Sequence, residues 1–201
     1  MLDRVALRQL APVLRFCAAG LHRAGVSANQ VTLAGFACGL AGATLIAFGQ
    51  YMGGLICILV SRLADGIDGE LARQTQPTDR GAFLDICLDF IFYASVPFAF
   101  ALADPARNAL PACALLLAFM GTAASFLAYA VMAAKRGMTS TAFPGKGLFY
   151  LGGLTEATET LIVFCLACIF PLWFAWLAWL FAALCAITTC TRLTAGWQAF
   201  K

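Results

Sequence analysis

Charge is what this sequence has least of. Only 11% of its 201 residues are charged and 62% are hydrophobic, whereas a water-soluble domain carries about 25% charged residues and roughly half apolar ones. That shortage excludes a soluble core and points to a polytopic membrane protein. The length accommodates about six spans of ~20–25 residues, with no room for a separate soluble domain. A net charge of +3 is too small a surplus to suggest a nucleic-acid partner. A secretory signal is not expected either: "MLDRVALRQLAPVLRFCAAGLHRAGV" spreads Arg4, Arg8, Arg15 and Arg23 among apolar residues, where a signal would segregate them. No repeat or low-complexity segment stands out. Nine cysteines are scattered through the apolar stretches and read as small packing residues. Cys165 and Cys168 form a C-x-x-C without a second such pair, so packing is the better reading than metal or redox chemistry.

What is there divides into apolar segments and polar breaks. Residues 2–24 read as an amphipathic helix, kinked at Pro12, with four Arg between apolar positions. Such a helix lies in the membrane interface; a solvated cap is the alternative. "GVSANQ" breaks it, and Ser27 or Asn29 can cap the next helix. Spans are predicted at about 29–48, 52–73, 81–103, 109–133, 148–170 and 172–197, with "QTQPTDR" and "DPARN" as loops. The basic residues lie almost entirely on one side, Arg107 being the exception, which puts both termini and the 74–80 and 135–146 loops in the cytoplasm. Trp173, Trp176, Trp179 and Trp197 read as interfacial belt residues.

Against that apolar background, "DGIDGELAR" (65–73) and "GAFLDICLD" (81–89) are out of place. Asp65, Asp68, Gly69 and Ala72 fall on one helix face with Arg73 at its border. Gly81, Asp85 and Asp89 make a matching stripe on the next span. A short loop makes the two helices antiparallel neighbours, with both stripes on one cavity near the cytoplasmic surface. An Asp at a span centre costs about 2.5–3.5 kcal/mol, and a whole domain is stable by only about 5–15 kcal/mol. Four facing carboxylates also repel, so positive charge must compensate them. Arg62 and Arg73 supply part. The rest is best supplied by divalent ions, and carboxylate-only ligands suit Mg²⁺, Mn²⁺ or Ca²⁺ over zinc. Two such ions beside a basic residue can bind a diphosphate and stabilise phosphoryl transfer. Gly69 and Gly81 open space for a nucleotide, with plain helix packing as the alternative for each. Asp89 lies one turn deeper than Asp85, where fewer waters compete, and suits a general base.

The pattern D-x-x-D-G-x-x-A-R, then G-x-x-x-D-x-x-x-D, resembles the signature of the CDP-alcohol phosphatidyltransferases. All eight signature residues are present: Asp65, Asp68, Gly69, Ala72, Arg73, Gly81, Asp85 and Asp89. The one departure is the gap between Arg73 and Gly81, one residue shorter than usual. The resemblance implies a single all-α membrane domain over 1–201: six transmembrane helices behind an N-terminal interfacial helix. It implies an enzyme of phospholipid biosynthesis in a bacterial inner membrane, with its active site cytoplasmic and a homodimer as its assembly. The donor would be CDP-diacylglycerol and the acceptor a small polar alcohol whose hydroxyl attacks the β-phosphorus, releasing CMP. Asp65, Asp68, Asp85 and Asp89 would hold two Mg²⁺ or Mn²⁺ ions, with Asp89 also the base. Asp65, Gly69, Ala72, Arg73 and Gly81 would bind the CDP-lipid. An intramembrane prenyltransferase using an Asp-bound Mg²⁺-diphosphate, or a divalent cation transporter, stays open as an alternative.

The acceptor is less legible. "SANQVTLAGF" resembles the family's opening of span one, but Gly35 stands where synthases using glycerol 3-phosphate tend to carry Arg, which argues against that acceptor. A phosphorylated acceptor needs Arg or Lys near the cavity, and the candidates are Lys135, Arg136, Lys146 and Arg192. Arg192 is the only basic residue within span six; snorkelling to the interface is its alternative role. Glu156 and Glu159 sit within predicted span five, either supporting the acceptor site or pairing with Arg192, Arg62 or Lys146.

Overall fold

The computed structural model describes residues 2–138 and 153–201. Among these there is no strand. Seven α-helices follow one another: α1 (Leu2–Arg23), α2 (Ala28–Ala47), α3 (Tyr51–Gln74), α4 (Asp79–Ala103), α5 (Pro105–Lys135), α6 (Ala157–Ile169) and α7 (Phe174–Ala199). A 3-10 turn, Pro171–Trp173, joins the last two. Helices α2, α4, α5 and α7 with its turn are long and apolar enough to cross a membrane, and the chain is a multi-pass integral membrane protein. Helix α3 has a span's length, 24 residues, but its second half is charged. Helix α6 has 13 residues. At 1.5 Å per residue it reaches about 20 Å, short of a hydrocarbon layer of about 30 Å.

Local chemistry sets the boundaries. Ser27 and Gln30 cap α2 reciprocally: the Ser27 amide donates to Gln30 Oε1 at 2.9 Å and the Gln30 amide to Ser27 Oγ at 3.4 Å. Just before it, Gly25 closes α1 at φ +76°, a left-handed geometry that suits glycine. There the Val26 amide donates to the Leu21 carbonyl, and the Gly25 amide to that of His22. Thr78 Oγ1 accepts from the Gly81 amide at 3.1 Å and starts α4.

Two boundaries differ from the sequence expectation. "DPARN" is the first turn of α5 and not a loop: Asp104 Oδ1 accepts from the Arg107 amide at 3.2 Å, and Pro105 takes a first-turn position where no amide is needed. Glu156 does not lie within a helix. It is the N-cap residue of α6, and residues 153–156 approach it as non-helical chain. Residues 148–152 of predicted span five lie outside the described residues.

Helix α2 organises the packing. It rests on both α3 and α4, while α5 packs on α7 and α4, and α1 on α3. The sequence predicts α3 and α4 as neighbours; their direct contact is slight, and each is held against α2 instead. The reason is a stripe of glycines on α2. A Cβ at Gly35 would stand 2.8 Å from Ala64 Cβ. At Gly39 it would stand 2.6 Å from the Phe92 ring and 2.8 Å from Ser61 Oγ. Small residues let membrane helices approach closely, so one stripe seats the two charged helices while leaving a gap between them.

Below the charged end the core is aromatic. Phe92, Phe100 and Phe164 are fully buried, and Phe100 stacks on Phe174 at 4.3 Å between ring centroids. Cys168 and Cys185 are buried free thiols in this core and Cys165 is half-buried, as packing residues would be. The four Trp all face outward.

Candidate active site

The aspartates come from two helices and meet in one place. Asp65, Asp68 and Asp85 each offer a carboxylate oxygen within 4.8 Å of the others. They line a space of about 10 Å³ together with Asp89, Arg62 and Thr32. That is room for about one water-sized sphere. Asp68 is buried, and its Oδ2 has no hydrogen-bond partner among the described residues. A buried carboxylate oxygen is costly unless a donor or cation meets it. An all-oxygen donor set suits a hard divalent ion. The residues present therefore fit such an ion. The shortened loop does not disturb this convergence, because Thr78 starts α4 early enough to set Gly81 in its first turn.

Asp89 stands apart from the other three. Its Oδ1 accepts from Arg62 Nη1 at 2.6 Å, and the same nitrogen lies 3.6 Å from Asp65 Oδ1. Arg62 is 12% exposed, with its guanidinium 4.1 Å above the Phe92 ring centre. Sequence reasoning supplied Arg62 as a counter-charge but not this placement, which depends on a contact across two helices. Thr32 falls within "SANQVTLAGF", the stretch that resembles the family's opening of span one, but sequence reasoning gave it no role at the site. Arg73 lies at the outer edge, half-turned to solvent, and pairs with Glu70 at 2.7 Å. Glu70 also holds Arg15 of α1 at 3.3 Å.

A far larger cavity, about 1560 Å³, opens from this point. Asp68, Gly69, Ala72, Arg73, Gly81, Asp85 and Asp89 line one wall. A methyl at Gly69 would meet only the Arg73 guanidinium, at 3.5 Å, so its bare face belongs to the cavity and not to a helix crossing. The rest of the lining from α5, the start of α6 and α7 is largely apolar, among it Leu116, Phe119 and Phe126, and carries five polar residues: Thr122, Thr155, Glu156, Thr160 and Arg192. Arg192 is 8% exposed and donates through Nη1 to the Thr122 carbonyl at 3.1 Å. It does not snorkel; it is buried within the bundle, on the cavity. Thr155 donates from its hydroxyl to Thr188 Oγ1 at 3.0 Å. Glu156 Oε1 accepts from the Gly153 amide at 3.2 Å, and Glu159 Oε2 from the Glu156 amide at 3.1 Å. The acidic pair thus closes the start of α6, with Glu156 on the cavity and Glu159 off it.

Two other acceptor candidates, Arg136 and Lys135, are not brought to the cavity. Arg136 donates to the Phe200 carbonyl at 2.6 Å and the Ala199 carbonyl at 3.1 Å, finishing the C-terminal end of α7. Lys135 is exposed on the last turn of α5 and does not line the cavity. Lys146 lies outside the described residues.

Comparison with known proteins identifies the family. The family model for CDP-alcohol phosphatidyltransferases matches residues 25–191. The chain is 49% identical to the Escherichia coli (strain K12) protein named inner membrane protein YnjF, covering 100% of this chain and 98% of that one. Its fold is similar to crystal structures of Mycobacterium tuberculosis phosphatidylinositol phosphate synthase (PgsA1). With CDP-DAG bound, that structure aligns at TM-score 0.68 and 25% identity, covering 92% of this chain and 94% of the other. In complex with manganese and citrate it aligns at TM-score 0.69 and 25% identity, covering 92% and 88%. The aspartate stripes, the whole-length relative and the shared fold lead to one conclusion: this chain belongs to the CDP-alcohol phosphatidyltransferase family and is a phosphotransferase enzyme of the membrane.

Proposed function

We propose that this enzyme moves a phosphatidyl group from CDP-diacylglycerol to the hydroxyl of a small phosphorylated alcohol, releasing CMP. The observation that carries the reading is a single cavity whose one wall is the aspartate signature and whose other wall holds a buried arginine. A fixed guanidinium matches the geometry of a phosphate oxygen pair and bonds it more strongly than neutral donors do. The fold relatives named as phosphatidylinositol phosphate synthases support the same class of acceptor.

In this reading Asp65, Asp68 and Asp85 hold Mg²⁺ or Mn²⁺, and Asp89 adds a ligand to a second ion. When bound, such ions offset the charge of the diphosphate oxygens. Arg73 binds the diphosphate from the cavity edge, and Gly69, Ala72 and Gly81 leave room for the cytidine. Asp89, oriented by Arg62, takes the proton of the acceptor hydroxyl. The hydroxyl oxygen attacks the β-phosphorus, the bond to the α-phosphate oxygen breaks, and CMP leaves with that oxygen. Arg192 holds the acceptor's phosphate, and Glu156 and Glu159 support that wall.

The membrane arrangement follows the charges. Helices α3 and α6, the latter with residues preceding it, complete six spans. Helix α1 lies in the interface. Both termini and the aspartates face the cytoplasm of a bacterial inner membrane, and the protein acts as a homodimer.

The test is direct. Purified protein is incubated with CDP-diacylglycerol, Mn²⁺ and labelled alcohols, an inositol phosphate first, then glycerol 3-phosphate, inositol, serine and ethanolamine. Label should enter the lipid fraction with a phosphorylated acceptor, together with CMP. Transfer only to an unphosphorylated alcohol would overturn the assignment of the acceptor. Consumption of a prenyl diphosphate without CMP release would overturn the donor.

A further inference from the structure

The four signature aspartates are not equivalent here, and Arg62 is what separates them. Three carboxylates converge within 4.8 Å. The fourth, Asp89, is bound to Arg62 at 2.6 Å, and the same guanidinium nitrogen reaches toward Asp65 at 3.6 Å. Arg62 is therefore wedged between the cluster and its fourth member.

Its seat is built, not incidental. The guanidinium carbon sits 4.1 Å from the centre of the Phe92 ring, and its Nη2 donates to Ser61 Oγ at 3.4 Å. Phe92 and Ser61 in turn fill the space left by Gly39, where a methyl would clash with both. Three helices thus cooperate to hold one charged side chain that is 12% exposed. Burying an arginine is unfavourable unless its charge is matched, and a guanidinium keeps its charge at any accessible pH.

We propose that Arg62 is a resident cation in the aspartate site. It takes the place a second divalent ion would otherwise hold between Asp65 and Asp89 while no substrate is bound, and so positions Asp89 for the acceptor hydroxyl. The substrate-free enzyme then binds one divalent ion tightly, on Asp65, Asp68 and Asp85. A second ion binds only when the diphosphate brings further negative charge. Arg62 acts through Asp89 and is a positioning residue; the inference rests on the aspartates being the metal site of the proposed reaction.

Mn²⁺ binding to the detergent-purified, substrate-free protein tests this without any turnover measurement. Electron paramagnetic resonance counts the ions bound. Wild type should bind one Mn²⁺ per chain. Arg62→Met should bind two, or bind the first at least about tenfold more tightly, because a repelling charge has gone and Asp89 is released to the ion. Arg62→Lys should keep the wild-type stoichiometry. The double variant Arg62→Met with Asp89→Asn removes both partners of the 2.6 Å pair and keeps the net charge of the site, which guards against misfolding, and should return to one ion. Equal stoichiometry and affinity in wild type and Arg62→Met would overturn the inference, as would two equivalent ions in wild type. Asp65→Asn serves as the separate check. If it leaves Mn²⁺ binding untouched, the metal site itself is misassigned; if it abolishes binding while Arg62→Met changes nothing, only the role of Arg62 falls.

Discussion

The two walls of the cavity are built in opposite ways. The α3–α4 wall is one continuous stretch of 25 residues, Asp65 to Asp89, whose polar members repeat at helical spacing. The facing wall draws Thr122 from α5, Glu156 from the start of α6 and Arg192 from α7. In the proposed reaction the first handles the CDP-linked donor and the second faces the acceptor. A wall assembled from distant residues can change one position at a time without disturbing the donor machinery.

Three substitutions sharpen that division, and the largest effect belongs to the donor wall. Asp89→Asn should lose about 10²–10⁴-fold in turnover, the usual range for a missing base. CDP-lipid binding should persist, since the nucleotide wall is intact. Wild-type turnover in this variant would place the base elsewhere. On the acceptor wall, Arg192→Ala should raise the acceptor's KM about 10–100-fold, the size of a lost charged hydrogen bond of about 1.5–3 kcal/mol. Affinity for CDP-lipid should stay constant, and Arg192→Lys should recover part of the loss. Unchanged acceptor kinetics would break the comparison, since Arg192 would then serve the packing of α7 on α5 and not the acceptor. The smallest effect belongs to a residue on neither wall. Arg136→Ala should lower thermal stability by about 0.5–1 kcal/mol, through loss of its bonds to the end of α7. Its KM values should match wild type; a raised acceptor KM would return Arg136 to the list of acceptor ligands.

How much the sequence discloses follows the same line. The aspartate face was legible because charge is rare in this chain and its spacing is periodic. Convergence on one cavity then needed only helix geometry. The helix starts at Ser27 and Thr78 were written in local capping chemistry, and so was the start at Asp104, although its Pro and Arg neighbours look like a loop. The gap between α3 and α4 was not legible, because it depends on how closely a third helix approaches both. Nor was the burial of Arg192: a lone arginine near a span's end can point to headgroups or inward, and only the facing helix decides. Arg136 shows the converse, a basic residue near the right loop whose side chain turns to a neighbouring helix end.

Helix α2 carries no acidic or basic residue, yet it sets the gauge of the site. Gly35 and Gly39 meet Ala64, Ser61 and Phe92 at distances that leave no room for a methyl. The spacing between the two aspartate stripes is therefore a matter of side-chain volume on a third helix. A change of size is what it cannot absorb: alanine for glycine at Gly39 has to displace Phe92 or Ser61. A helix with nothing to ionise can be as constrained as the helices that do the chemistry.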